Sequence, residues 1–169
     1  MIKFVITNIH KLIDMIPKNE YAPYFEQYIQ LVDTSKSIID MLENSQDQFE
    51  NLLRNLPKEK HNFAYAKDKW TLKELIQHII DTDRIFCYRA LCFARNDKTS
   101  LPGFDQDVFV DNDTANDRDY FDLLDEMQTL RKSTIQLYKN FSDEALLRIG
   151  VASENKMSVR ALGYLFSGR

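Results

Sequence analysis

Residues 70–96 carry a helix signal that leaves the rest of the chain little freedom. Thr71-Leu72-Lys73-Glu74 has the form of a capping box, in which the Thr71 hydroxyl accepts from the Glu74 amide and the Glu74 carboxylate accepts from the cap amide. Trp70 and Leu75 stand at the two staple positions. At about 100° per residue, Leu72, Ile76, Ile79, Asp83, Phe86, Ala90 and Ala94 share one side, which predicts a core-facing amphipathic helix with an acid inside its apolar stripe. His78 lies about a third of a turn from the stripe's centre, beside Leu75, Thr82, Ile85 and Arg89. That is the border between buried and solvated surface, where a site can open.

Two further long stripes flank this one. Ile38, Leu42, Ser45, Phe49, Leu52 and Leu56 recur at alternating spacings of four and three, a bundle seam that Pro57 ends. Phe121, Leu124, Met127, Leu130 or Arg131, Thr134, Tyr138 and Phe141 form the third, over residues 118–141. Ser142 and Ser158 are placed to cap two shorter helices, the second with Val159, Leu162, Leu165 and Phe166 as its apolar face. Between the second and third stripes, residues 97–117 hold Pro102-Gly103 and a run of acids and amides with no sustained helical period. A connection of about twenty residues is uncommon inside a compact domain, but two helices that run parallel require such a crossover. Low glycine and proline content, 4 of each in 169 residues, and few alternating Val/Ile/Thr runs point the same way, to an all-α fold.

Residues 1–34 are read as an N-terminal arm, partly helical and laid on the surface, and 35–169 as the bundle domain. A fourth helix of about eleven residues spans about 17 Å, against more than 30 Å for its partners. Part of the groove is therefore left to be covered. The expectation is that the natural chain continues past Arg169, with a second protomer or the arm as the other ways to fill it.

The formal charge of -4 arises from 22 basic and 26 acidic residues dispersed along the chain, with no basic stripe for nucleic acid and no polybasic membrane anchor. Met1 to Ile16 has one apolar cluster, broken by Asn8, His10 and Lys11, and is neither a signal peptide nor a membrane span. Cys87 and Cys92, five apart on one helix, point about 140° away from each other and do not pair, which fits a reducing, cytoplasmic setting.

Four motifs then resemble the DinB/YfiT-like proteins. They are Lys69-Trp70-Thr71-Leu72-Lys73-Glu74, His78-Ile79-Ile80-Asp81-Thr82-Asp83-Arg84, Leu101-Pro102-Gly103-Phe104-Asp105-Gln106-Asp107 and Ser158-Val159-Arg160-Ala161-Leu162-Gly163-Tyr164, in the family's order with matching loop lengths. The resemblance covers Met15 to Arg169. It implies a four-helix bundle in up-down-down-up order with a long crossover between helices 2 and 3, and commonly a homodimer. It also implies that relatives start near Met15-Ile16-Pro17, which makes the first fourteen residues an extension or a misplaced start. Relatives with a complete site hold a divalent metal, nickel or zinc, through one histidine on the second helix and an H-x3-H pair on the fourth. Some act as thiol-dependent transferases or hydrolase-like enzymes. His78 matches the first ligand. Arg169 stands where the first histidine of the pair belongs, and a guanidinium has no lone pair for a metal and repels the cation.

The other candidates have simpler readings. His10 and His61 fall outside any ligand spacing and are taken as solvated. An acid on an apolar stripe is costly to bury alone, so Asp83 is read as half of a structural ion pair rather than a catalytic base, with Arg160 as one candidate partner. Asp111, Asp113 and Asp122 partly mimic a calcium loop, but Ala115 sits where a ligand is wanted, Asn116 replaces the turn glycine and the closing Glu is missing. The lead expectation is a bundle descended from a three-histidine site that is incomplete here, acting as a binding or dimerisation module with metal absent or weakly held. The alternative is a metal-dependent thiol transferase or hydrolase whose other ligands follow Arg169 or come from a second protomer. No substrate can be named from the residues.

Overall fold

Every helix but the first, Glu26–Ile29, starts where a short polar side chain satisfies the amides left open at a helix end. Ser37, Thr71, Asp105, Asp119, Ser142 and Ser158 all cap in this way. At Thr71 both halves of the capping box are formed. In the computed structural model, which describes residues 16–168, the elements in chain order are α1 (Glu26–Ile29), α2 (Ile38–Arg54), α3 (Leu72–Ala94), α4 (Gln106–Asp111), α5 (Tyr120–Lys139), α6 (Asp143–Leu146), strands β1 (Ile149–Ala152) and β2 (Asn155–Ser158), and α7 (Val159–Leu165). The expected apolar piece near the start, His10 and Arg169 lie outside the described residues.

Side-chain pairs give the directions of the four bundle helices. Glu50 and Ser45 of α2 meet Gln128 and Arg131 of α5, so those two run antiparallel. Asp83 and Cys87 of α3 meet Arg131 and Thr134 of α5 in the same order, so those run parallel. The start of α7 meets Tyr138 and the residue after its end meets Arg131, antiparallel to α5. The order is up-down-down-up, and the crossover over the top of α3 is what allows α3 and α5 to lie side by side. It is not the featureless loop its composition predicts, because the Asp105 carboxylate accepts from the Asp107 and Val108 amides and starts the short helix α4.

The stripes are rotated slightly from their expected positions. Leu53 is buried while Leu52 is exposed, because a seam spaced at 3.5 residues drifts off the face of a straight helix by its last turn. Tyr120 replaces Phe121 at the start of α5, buried with its hydroxyl donating 2.9 Å to the Leu53 carbonyl, and Asp119 caps the helix, which begins two residues later than expected. On α3, Ile80 and Phe93 join Ile76, Asp83, Phe86, Ala90 and Ala94 inside, while Ile79 is only half-buried.

Residues 149–158, which the all-α expectation leaves without strands, form a two-stranded antiparallel hairpin, the one sheet among the described residues. Its two-residue loop, Ser153-Glu154, has both residues at positive φ, 50° and 63°, the primed turn that suits strand twist. No Asn-Gly or Asp-Gly marks it, and strands of four residues carry too little alternation to be read. The hairpin seats directly on α3. A Cβ at Gly150 falls 1.9 Å from a Phe93 ring carbon, so only hydrogen fits there.

Helix α7 is seven residues long, shorter than expected, against 17, 23 and 20 for α2, α3 and α5. It packs closely through Gly163, where a Cβ falls 2.8 Å from the Tyr138 ring and 2.9 Å from Ile38. The arm lies against the same end. Glu20 is buried and accepts from Ser158 Oγ and the Arg160 guanidinium, and the Ala22 amide donates 3.0 Å to the Lys156 carbonyl. Its residues Tyr21 and Ile29 enter the main core beside Leu42, Phe86, Phe93, Tyr138 and Leu162. A smaller cluster around Ile76, Ile80 and Leu123 fills the other end of the bundle. Among the described residues no helix is long and apolar enough to cross a membrane.

The Gly150 contact gives a direct test of the hairpin's seat. Gly150→Ala overpacks the Phe93 ring and is expected to cost about 3 kcal/mol, lowering Tm by roughly 6–12 °C in a chain of this size. Gly103→Ala, whose Cβ meets the Ser153 side chain at 3.2 Å, is the control with a smaller loss. A Tm for Gly150→Ala within a degree of the parent protein means the hairpin does not sit on α3.

Candidate functional site

His78 leaves α3 on the border of its buried face, as its position in the repeat predicts. The Trp70 ring lies over it, centroids 5.0 Å apart, so the residue just before the helix cap screens the imidazole from one side. The His78 carbonyl accepts from the Thr82 hydroxyl at 2.7 Å, an ordinary back-bond one turn on. About one and three turns further along the same border come Thr82 and Arg89, with Phe86 of the buried stripe between them. Together with His78 they form one wall of a pocket of about 380 Å³.

Four other segments close it, α7 among them through Leu165. The arm contributes Tyr24, Phe25 and Tyr28, the crossover Phe104 and Gln106, and the hairpin turn Ser153 and Asn155. Pockets for small molecules run from about 300 to 1,000 Å³, apolar in the main with a few placed polar groups. This one has that make-up: a cage of aromatic rings with an imidazole, a guanidinium and several amide and hydroxyl groups. Of its members, α3 supplied those the repeat made visible. The arm's aromatic residues Tyr24, Phe25 and Tyr28 have no local feature that ties them to His78.

Arg89 is the dominant charge in the pocket. Its side chain is buried, 7% exposed, and Nη2 donates to the Pro102 carbonyl at 3.0 Å and to Ser153 Oγ at 2.9 Å. Phe86 and Phe104 present their rings to the guanidinium carbon at 5.6 and 5.9 Å. Burial pulls its pKa below the usual arginine value, and it remains a cation at neutral pH.

The metal expected from the three-histidine relatives does not fit this donor set. Among the described residues no group of three His, Cys, Asp or Glu side chains could hold a metal ion. In the pocket His78 is joined by hydroxyls, amides and a buried cation, and by no carboxylate or thiol. Arg89 adds electrostatic repulsion to the missing lone pairs.

Asp83, deep on the same helix, is ion-paired as expected, but with Arg131 and not with Arg160. Arg131 Nη2 donates to Asp83 Oδ2 at 3.0 Å, with both side chains buried. Arg160 turns to Glu20 instead, because the short α7 carries it toward the arm and away from the bundle axis. Arg131 stood at an ambiguous place in its stripe, and the acid on α3 is what draws it inward. One other expectation also changes. His61 is half-buried, stacked on Tyr120 with centroids 3.7 Å apart and Nε2 3.2 Å from the Leu56 carbonyl, so it belongs to the packing between α2 and α5. The calcium-like acids disperse, with Asp122 paired to Arg118 and Asp113 capping the Ala115 amide. The two cysteines form no disulfide, and Cys87 lies 3.0 Å from the Thr134 hydroxyl.

Comparisons with known proteins agree with this architecture. The family model of the DinB superfamily matches residues 41–168. No curated protein matches. Among solved structures, YfiT from Bacillus subtilis, described as a probable metal-dependent hydrolase with an unusual four-helix bundle topology, is 15% identical, with 90% of this chain and 85% of that one covered and a TM-score of 0.66. At that identity the likeness is one of fold.

Two variants check the charges. Asp83→Leu leaves a buried guanidinium without its carboxylate and is expected to cost about 3–5 kcal/mol, whereas Asp83→Leu with Arg131→Met costs less than that single change. Additive losses on chemical denaturation count against a coupled pair. Asp113 Oδ2 is buried without a hydrogen-bond partner, and burial, with the Glu74 and Asp81 charges adding to it, pushes its carboxyl pKa up. A folded-state pKa raised above the unfolded one means the native state holds the extra proton, so this group's contribution falls as pH rises through that window. Asp113→Asn is therefore expected to stabilise the fold at pH 7 and to lose that advantage in acid below the carboxylate range. An advantage equal at both pH values argues against the buried carboxyl.

Proposed function

Since the chain belongs to the DinB superfamily, we propose that it is a binding module, with the pocket beside His78 as the seat of a small organic molecule. The observation that carries this reading is the shared wall of His78 and Arg89: the imidazole that matches a metal ligand opens on a cavity whose strongest charge is a cation. Such a cavity suits an uncharged or anionic organic guest. The rings of Tyr24, Phe25, Tyr28 and Phe104 supply apolar contact, while the Gln106 and Asn155 amides and the His78 imidazole supply hydrogen bonds that fix orientation. A homodimer in a cytoplasmic setting is part of the same proposal, and exposed Tyr88 and Phe109, which border one hollow beside the pocket, give such a contact apolar area.

The competing reading is a metal-dependent thiol transferase or hydrolase whose remaining ligands lie outside residues 16–168 or on a second protomer. Equilibrium dialysis of the whole chain against zinc and nickel, with His78→Ala in parallel, separates the two. The expected outcome is well under one metal per chain and no difference between the proteins. Stoichiometric metal that disappears in His78→Ala establishes the enzyme reading instead. In the same preparation, a fragment screen followed by amide chemical shifts is expected to perturb α3 around His78 and the hairpin turn. Fragments that bind only elsewhere, or none that bind, overturn the binding-module reading.

A further inference from the structure

We propose that the guest of this pocket is a small organic carboxylate with a flat apolar body, and that Arg89 is the residue that reads its charge. This rests on the reading of the pocket as a small-molecule site and names the chemical class it takes.

Arg89 and Arg131 are the two buried arginines among the described residues, and they are treated differently. Arg131 has the Asp83 carboxylate at 3.0 Å. Arg89 has no acidic partner among the described residues, only a backbone carbonyl and a serine hydroxyl, both at Nη2. A guanidinium offers five N–H donors, so three remain for a ligand. A desolvated cation without a counter-ion is unfavourable unless something compensates it, and neutral oxygens compensate only in part. The protein nonetheless builds around it. Pro102 and Ser153, from the crossover and the hairpin turn, hold the group from two directions, and Phe86 and Phe104 flank it. An arginine held this firmly, lining a cavity, has little ordering entropy left to lose when it grips a planar anion in paired hydrogen bonds.

The rest of the pocket selects the guest's body. Phe104 lines it beside the guanidinium, and Tyr24, Phe25 and Tyr28 lie on the arm, with Tyr24 and Phe25 packed edge to face at 5.0 Å. Aromatic walls of this kind favour a flat apolar guest over a hydrated inorganic anion. About 380 Å³ admits a ring-sized molecule and its acid group. His78 lies on the same wall, about three turns before Arg89 on α3.

The test uses the whole chain and three probes: benzoate, benzamide and inorganic phosphate. Titrations followed by amide chemical shifts are expected to place benzoate in the pocket, with benzamide about tenfold weaker because it lacks the charge, and phosphate about tenfold weaker because it lacks the ring. Arg89→Gln is expected to lose about tenfold for benzoate and little for benzamide, Arg89→Lys to recover part of that loss, and Phe104→Ala to weaken both organic probes while leaving their ratio unchanged. If Arg89→Gln does not fold, the benzoate-to-benzamide ratio in the parent protein and in Phe104→Ala decides the matter. Benzamide and other neutral fragments binding in the pocket as tightly as benzoate overturn the carboxylate inference and leave the small-molecule reading intact. Phosphate equal to benzoate reduces Arg89 to a general anion contact and also overturns it. If no organic probe perturbs the pocket, both readings fail together.

Discussion

One guanidinium touches all four helices of the bundle. Arg131 stands on α5, donates to Asp83 on α3, to the Ser45 hydroxyl on α2 and to the Phe166 carbonyl at the end of α7. Asp83 and Phe166 are buried and Ser45 is half-buried, where an unmet polar group is costly, so the position of each helix along its axis is coupled to that of the others. Apolar stripes alone permit a helix to slide by a turn, because one row of leucines fits another nearly as well after the shift. A buried charge with three named acceptors does not permit it. The same Arg131–Asp83 contact, with Cys87 beside Thr134 one turn on, marks α3 and α5 as parallel neighbours, the arrangement that the long crossover permits.

The crossover in turn creates the pocket. Running from the end of α3 back to the start of α5, it brings Pro102 and Phe104 over the upper half of α3. The hairpin reaches the same place because Gly150 lets β1 lie on Phe93, and Ser153 at its turn then meets Arg89. The arm closes the remaining side, tied down by Glu20 to Ser158 and Arg160. The cavity is thus assembled from five segments, most of them remote in sequence, along the face of α3 that carries His78. Arg89, on the same helix, adds a buried cation to that lining, and no carboxylate or thiol joins it.

The features legible before any coordinates were those with local physical causes. The capping box at Thr71 and Glu74 needs only its own four residues, and it forms as read. The burial of Asp83 follows from its phase in the repeat. The border position of His78, Thr82 and Arg89 follows from the same phase, and three of the pocket's residues were in view for that reason. Leu52 and Phe121 were misplaced by one residue each because a helix's last and first turns depend on where the cap falls and how straight the axis is, and neither is a local quantity. The hairpin escaped because Ser153 and Glu154 adopt positive φ without a glycine to announce it.

By itself the sequence determined the helices, their apolar faces, the length of the crossover and hence the topology, since these rest on periodicity, capping chemistry and chain length. Only the tertiary structure decided which cation meets Asp83, that Glu20 and not the bundle claims Arg160, and that Arg89 comes to lie buried among rings with no carboxylate beside it. Ion pairs and pockets join residues tens of positions apart, and two cations of equal charge are distinguishable only by where packing has already carried them.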